Sequence, residues 1–202
     1  QDGPIRRVRA HVYWERDQNY YAASPWRGKI HHAGGGTLIN QAIHTLDLMQ
    51  YMVGSPPESL RAITTQLREP SSDIDVEDTA VANMLFPGGV RGFYCSTNVA
   101  GANDPIELIV ECEKATYFIW GTRLFRQAEG ETECLCIAED EIKGGQKFYY
   151  GMSHGLMIKA FYDAIEGKAD APIVTLEEGL ASMKMIDAIF RSSLSGQRVT
   201  LE

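Results

Sequence analysis

The hydrophobic period of the chain changes twice, and this constrains the fold more than any other feature. From Thr37 to Val53 the residues Ile39, Ala42, Ile43, Leu46, Met49 and Val53 recur every three or four positions, the core stripe of one amphipathic helix. From Ser59 to Ala138 the period falls to two, the signature of strands. Near Leu156 the helical period returns. Strands in a run, with helices clustered outside it, predict an α+β chain: an open, mostly antiparallel sheet with helices packed on one face.

Local signals divide the chain further. Ile5 to Trp14 reads as a strand, with Ile5, Val8, Ala10, Val12 and Trp14 mostly on one side. A polar, aromatic-rich loop from Glu15 to Ala33 follows, then Gly34-Gly35-Gly36 and the helix, which Gly54, Pro56 and Pro57 end. Ser59 to Arg68 is a strand. Thr79 to Phe86 and Val90 to Thr97 flank Pro87-Gly88-Gly89, a hairpin signal. Ile106 to Cys112 turns through Glu113-Lys114-Ala115 into Thr116 to Trp120. Arg123 to Gln127 and Glu133 to Ala138 bracket a turn near Gly130, and Gly144-Gly145 breaks the meander. Leu156, Ile158, Phe161 and Ile165 mark a helix closed by Gly167. Thr175 and Glu178 form a capping box that opens a helix to about Leu194, with Leu180, Met183, Ile186, Ile189 and Phe190 expected as its buried face. Val199 to Leu201 adds a short strand. No linker interrupts the chain, so residues 1–202 read as one domain.

A chain of 202 residues can bury about 70% of its unfolded surface and needs no covalent staples. Hydrophobic residues at 44% and charged residues at 23% exclude disordered and collagen-like classes. The net charge of −8, with no basic run, argues against nucleic acid or an anionic membrane as partner. No apolar run approaches the ~20 residues of a membrane span, and the start carries no signal-type stretch. Cys95 and Cys112, with Cys134 and Cys136 as two small side chains on a strand, read as free buried thiols, which fits a cytoplasmic location. The chain opens on Gln1 rather than Met, as a processed protein or an excised piece of a longer one would.

The chemistry concentrates on the first helix. At about 100° per residue, Asn40, His44, Asp47 and Tyr51 fall within a ~60° arc, away from the centre of the apolar stripe. Neutral imidazole can take a proton from a hydroxyl, and an amide can hold one. Asp47 could orient the imidazole or bond elsewhere. Spacing alone leaves a second reading open, in which His44 packs locally and Asp47 is solvated. The three glycines permit close approach of a backbone or a flat ligand, or else form a flexible entry turn. Tyr20, Tyr21, Trp26 and Arg27 suit a sugar-like ring with its oxygens, or else pin their loop to the domain. His31 and His32 are adjacent and lack metal partners in sequence. His154 reads as structural, and no nucleophile elbow surrounds Ser153. No metal site is expected.

These residues carry a resemblance. Trp26-Arg27-Gly28, and Gly34-Gly35-Gly36-Thr37-Leu38-Ile39-Asn40-Gln41-Ala42-Ile43-His44-Thr45-Leu46-Asp47, resemble the substrate domain of the glucose–fructose oxidoreductase, inositol dehydrogenase and rhizopine catabolism (Gfo/Idh/MocA) family. Glu77-Asp78-Thr79-Ala80, Phe86-Pro87-Gly88-Gly89, His154 before a helix, and Ser192 to Val199 are similar to later parts of that domain. The resemblance implies the glyceraldehyde-3-phosphate dehydrogenase-like C-terminal fold. It also implies an NAD- or NADP-dependent oxidoreductase acting on a sugar, cyclitol or related polyol, a homodimer or homotetramer formed through the open sheet face, and a separate Rossmann domain that binds the cofactor. No G-x-G-x-x-G follows a strand here, so the chain reads as the C-terminal half alone, inactive by itself. In the family an Asp and a His four residues apart work with a Lys of the Rossmann domain. Here the His position is His44 and the Asp position is Asn40, so acid–base work would rest on His44 and the Lys that this chain lacks. The resemblance implies Asn40, Tyr20, Trp26, Arg27 and Asp47 as substrate-binding residues, with Gly35 and Gly36 near the nicotinamide. It also leads to the expectation that Asn40→Asp is tolerated, since it restores the commoner pair. Two other classes remain open: a relative that uses the same machinery for net glycoside hydrolysis, and a non-catalytic binding or assembly module.

Overall fold

The computed structural model describes residues 2–69, 74–140, 153–168 and 173–201. The chain runs through β1 (Ile5–Tyr13), four short helical segments α1 (Gln18–Ala22), α2 (Ile30–Ala33), α3 (Thr37–Asn40) and α4 (Ile43–Val53), then strands β2 (Ser59–Thr65), β3 (Thr79–Leu85), β4 (Arg91–Thr97), β5 (Glu107–Cys112), β6 (Ala115–Trp120), β7 (Arg123–Ala128) and β8 (Leu135–Glu139). Two longer helices follow, α5 (Ser153–Ile165) and α6 (Leu176–Ser195), and the two-residue strand β9 (Val199–Thr200). The break expected at Gly144-Gly145 lies outside the described residues. The aromatic loop expected from Glu15 to Ala33 carries α1 and α2, each one turn long.

The nine strands form one sheet in the order β8-β7-β6-β5-β1-β4-β3-β2-β9. All neighbours are antiparallel except β1 and β4. That parallel pair is possible because the chain leaves β1 through four helical segments and the β2–β3 hairpin before it returns, a crossover long enough to reverse direction. The expected open, mostly antiparallel sheet is therefore the one observed.

The pleat explains which face the helices cover. Val8, Ala10 and Val12 of β1 alternate inward, and their partners Gly92, Tyr94 and Ser96 on β4 point the same way. Small residues let the helices come close: α4 packs on β1, which carries Ala10, and α6 on β2, which carries Ala62, and Leu46, Met49, Met185, Ile186 and Ile189 are buried between helices and sheet. Each such fully buried Leu, Ile or Met contributes about 1.5–3 kcal/mol.

The buried face of α6 differs from the expected one. Ser182, Met185, Ile186, Ala188, Ile189 and Ser192 face the core, whereas Leu180 and Met183 are 54 and 46% exposed. Two buried serines decide this register by bonding. Ser192 Oγ accepts from the Ala62 amide at 2.9 Å and donates to the Gln197 carbonyl at 2.6 Å, and Ser182 Oγ donates to Asp47 at 2.7 Å. The capping box at Thr175 and Glu178 forms as expected. The apolar residues of α5, Leu156, Ile158, Phe161 and Ile165, are exposed.

The opposite face of the sheet carries Ile63, Val81, Leu85, Phe93, Ile109, Phe118 and Phe125, with Arg7, Arg9, Arg61 and Arg91 interspersed. Ile63 and Phe93 remain 67 and 48% exposed there. Tyr94 instead lies wholly inside the core. The four cysteines are free, but they are not buried: Cys134 and Cys136 are exposed and Cys134 precedes the strand, while Cys95 and Cys112 are half-buried.

Candidate active site

The glycine run is a close approach, made at one residue. A Cβ on Gly36 would stand 1.8 Å from the Glu77 carbonyl oxygen, so a side chain there collides with backbone. The proximity lets Glu77 cap α3, whose own N-cap residue has no side chain. Its carboxylate accepts from the Gly36 amide at 2.8 Å and the Leu38 amide at 3.0 Å, and its carbonyl accepts from the Thr37 amide at 3.1 Å. Glu77 is buried; burial pushes its carboxyl up from the ordinary range, and the amides of Gly36 and Leu38 pull it back. Sequence reasoning did not single out Glu77 for this task.

The same geometry tests whether the turn suits a dinucleotide. The amides that a pyrophosphate would need are already taken by Glu77, and Gly35 and Gly36 are buried. The turn does not fit a phosphate cradle.

The expected single helix from Thr37 to Val53 is two. The Ala42 amide reaches back five residues to the Thr37 carbonyl at 2.9 Å, and the next helix starts afresh at Ile43. Side-chain bonds cause the break. Asn40 Nδ2 turns back to donate to the Gly35 carbonyl at 3.0 Å. Gln41 is buried, with Nε2 donating to the Tyr20 hydroxyl at 2.7 Å and Oε1 accepting from Asn98 Nδ2 at 2.9 Å. An angular count at 100° per residue does not carry across this break, so Asn40, His44, Asp47 and Tyr51 are not one straight strip.

His44 stands on the first turn of α4, exposed, and makes no hydrogen bond among the described residues. Asp47 bonds elsewhere: its Oδ1 accepts from Gln50 Nε2 at 2.9 Å and from Ser182, and this joins α4 to α6. Tyr51 is exposed. On the neighbouring loop the Arg27 guanidinium lies 4.4 Å from the Tyr20 ring and 5.6 Å from the Trp26 ring, and its Nη1 donates to the Tyr20 carbonyl. Tyr20, Trp26 and Arg27 thus form one stacked wall, and Gln41 fastens it to the segment between Asn40 and His44. His31 and His32 are exposed at the end of α2. Among the described residues no group of three or more His, Cys, Asp or Glu side chains is arranged to hold a metal. None of their helices is long and apolar enough to cross a membrane.

The geometry reverses the expectation for Asn40→Asp. A carboxylate cannot donate to the Gly35 and Gly36 carbonyls, which stand 3.0 and 3.4 Å from the present amide nitrogen. The variant is expected to be less stable at pH 7 by about 1–3 kcal/mol. The protonated carboxyl can donate, so the folded state raises the variant's carboxyl pKa. The deficit then shrinks below the unfolded value of ~3.9 and is complete at neutral pH. Denaturation of both proteins at pH 3.5 and pH 7 measures this, and equal deficits at the two values would contradict it.

Comparisons place the chain in a family. A family model described as the GFO/IDH/MocA C-terminal domain matches residues 2–118, more than half of the chain. The chain belongs to the GFO/IDH/MocA family, as its C-terminal domain. A search of curated proteins finds no match. Among solved structures the chain is similar to the WlbA dehydrogenase from Bordetella pertussis, described in complex with NADH and UDP-GlcNAcA. The identity is 29%, the TM-score 0.75, and the match covers 100% of this chain and 56% of that one. The WlbA dehydrogenase from Chromobacterium violaceum, in complex with the same two molecules, matches at 26% identity and a TM-score of 0.78, over 99% of this chain and 55% of that one. An aldose-aldose oxidoreductase from Caulobacter crescentus, complexed with glycerol, shares the fold at 22% identity and a TM-score of 0.76, over 98% of this chain and 56% of the other. The chain thus spans little more than half the length of these relatives.

Proposed function

We propose that the chain is the substrate-binding half of an NAD- or NADP-dependent dehydrogenase that oxidises a hydroxyl-bearing carbon of a sugar, cyclitol or related polyol. The observation that carries this reading is the exposed His44 imidazole, free of hydrogen bonds among the described residues, next to a helix break that is fastened to a wall of Tyr20, Arg27 and Trp26. Imidazole takes the substrate hydroxyl's proton, the aromatic rings receive the apolar face of the sugar, and Arg27 donates to its oxygens. The dinucleotide supplies the hydride acceptor, held by a part of the enzyme outside these residues. The WlbA complexes with a nucleotide sugar support a sugar-like substrate. Four free thiols support a reducing cytoplasm.

Turnover of sugars, nucleotide sugars and inositols by the whole protein, followed by the appearance of NADH or NADPH, tests the reading. Reduction of either cofactor with one class of polyol supports it, and no reduction with any of them overturns it. The isolated chain is expected to be inactive and to bind NAD(H) no better than weakly, because the amides of the glycine turn are occupied by Glu77. Calorimetric titration checks this, and low-micromolar affinity would contradict it.

The open sheet face supports self-association into a dimer or tetramer. It sets Ile63, Val81, Leu85 and Phe93 side by side on three adjacent strands, with Ile109, Phe118 and Phe125 further along, and apolar surface of that extent marks an interface. Light scattering is expected to show an oligomer that Phe93→Glu shifts toward monomer. A monomeric parent at high concentration would overturn the assignment.

A further inference from the structure

We propose that Gln41 is a positioning residue for substrate binding: it fixes where the Tyr20–Arg27–Trp26 wall stands relative to His44, and takes no part in proton transfer. The inference rests on the reading of the site given above and adds a residue that neither helical spacing nor side-chain chemistry marks as functional. Gln41 occupies the gap between α3 and α4, and only 6% of its surface is exposed. Both ends of its amide are bonded. Oε1 accepts from Asn98 Nδ2, and Nε2 donates to the Tyr20 hydroxyl. The three residues form a chain from sheet to helix break to wall, across 57 and 21 positions of sequence.

Each end of that chain is rooted. Asn98 is fully buried just past β4, its amide donates to the Asp78 carbonyl at 2.8 Å, and its carbonyl accepts from the Arg16 amide at 2.9 Å. Tyr20 is held at its backbone by Asp17, which accepts from the Tyr20 amide at 2.9 Å, and at its ring by the guanidiniums of Arg27 and Arg16. Tyr21 packs edge-on against it with ring centroids 5.1 Å apart. Among the described residues the Gln41 bond is the one the Tyr20 hydroxyl makes, and it ties the wall to the two residues that flank the break, Asn40 and Ile43, and hence to His44. Without it the wall keeps its stacking but loses its distance from the imidazole.

Three substitutions separate positioning from bulk stability. Gln41→Leu keeps the volume and leaves both Asn98 Nδ2 and the Tyr20 hydroxyl unpaired. Gln41→Glu keeps both bonds in either protonation state. Ionised, it accepts from both partners; protonated, it accepts from Asn98 and donates to Tyr20. Tyr20→Phe removes only the far bond. In the whole protein, Gln41→Leu and Tyr20→Phe are each expected to raise KM for the polyol about tenfold, the loss of one well-placed bond, while kcat and its pH profile stay within about twofold. Gln41→Glu is expected to restore KM to within about threefold of the parent. Combined, the Leu and Phe changes are expected to be no worse than either alone, since they cut the same link. Amide hydrogen exchange over residues 17–28 gives a readout independent of turnover: about tenfold faster in the two broken variants, and parent-like in Gln41→Glu.

An unchanged KM and unchanged exchange in Gln41→Leu would overturn the proposal. So would a fall in kcat with a displaced pH profile, which would make Gln41 part of proton transfer. If Gln41→Leu does not fold, Tyr20→Phe, which loses a single hydroxyl, carries both readouts. If the parent turns over no polyol, the dehydrogenase reading has failed, and the exchange comparison alone still decides whether Gln41 holds the wall.

Discussion

If the dehydrogenase proposed above is the whole protein's activity, His44→Ala is expected to lower its kcat by about 10²–10⁴ while changing KM far less, because a general base acts mainly in the transition state. The substitution is expected to leave the fold intact. His44 is exposed, and the buried residues of its helix are Thr45, Leu46, Met49 and Gln50. The structure also restricts which neighbour can share its work. Asp47 is engaged by Gln50 and Ser182, and Asn40 turns its amide onto the glycine carbonyls. Neither bonds to the imidazole, so Asp47→Asn is expected to weaken the α4–α6 joint and lower stability rather than reproduce the His44→Ala rate defect. Steady-state kinetics of His44→Ala, beside a thermal melt of the same protein, separate the two effects. A near-normal kcat would make this helix face structural.

Much of this architecture is readable from periodicity because the strands obey their pleat. β2 through β7 fall within about three residues of the limits expected, and the Pro87–Gly89 hairpin lies where two alternating runs meet. The misreadings share one cause: polar side chains that bond across long sequence separations. Gln41 breaks a helix by bonding to Tyr20 and Asn98, and a Gln in an apolar-periodic run gives no local sign that it will do so. Ser182 and Ser192 draw α6 into a register that leaves Leu180 and Met183 outside, although a hydrophobic count prefers the reverse. Glu77 caps a helix that lies some 40 residues earlier in sequence, so no capping pattern precedes that helix. The exposure of His44 was legible because it lies away from the centre of the apolar stripe, a local feature. The residues that hold its surroundings in place were not, since their partners are chosen by the fold.

The glycine run offers the sharpest test of that fold-dependent part. If Gly34–Gly36 were only a flexible entry turn, alanine at each position would cost about the same, ~1 kcal/mol from lost backbone freedom or strain. The structure orders them differently. At Gly34 a Cβ meets nothing within 4 Å, and the cost is the strain of a left-handed residue at φ +75°, roughly 1–2 kcal/mol. At Gly35 the nearest atoms are Ile39 Cγ1 at 2.8 Å and Phe190 Cζ at 3.3 Å, so a Cβ there displaces side chains, one of them stiff at χ1, rather than backbone. At Gly36 the obstacle is the Glu77 carbonyl oxygen at 1.8 Å, which is backbone just ahead of a core strand and cannot step aside alone. Relief there requires α3 to lift off Glu77 and lose the cap on the Gly36 and Leu38 amides. Overpacking at ~1–3 kcal/mol and loss of the cap at ~1–2 kcal/mol put Gly36→Ala about 2–5 kcal/mol below the parent, a large part of a domain's whole stability. Urea midpoints for the three alanine variants are expected to fall in the order Gly34 above Gly36, with Gly36→Ala far below both others. Equal midpoints would mean that Glu77 does not clamp the turn that opens α3.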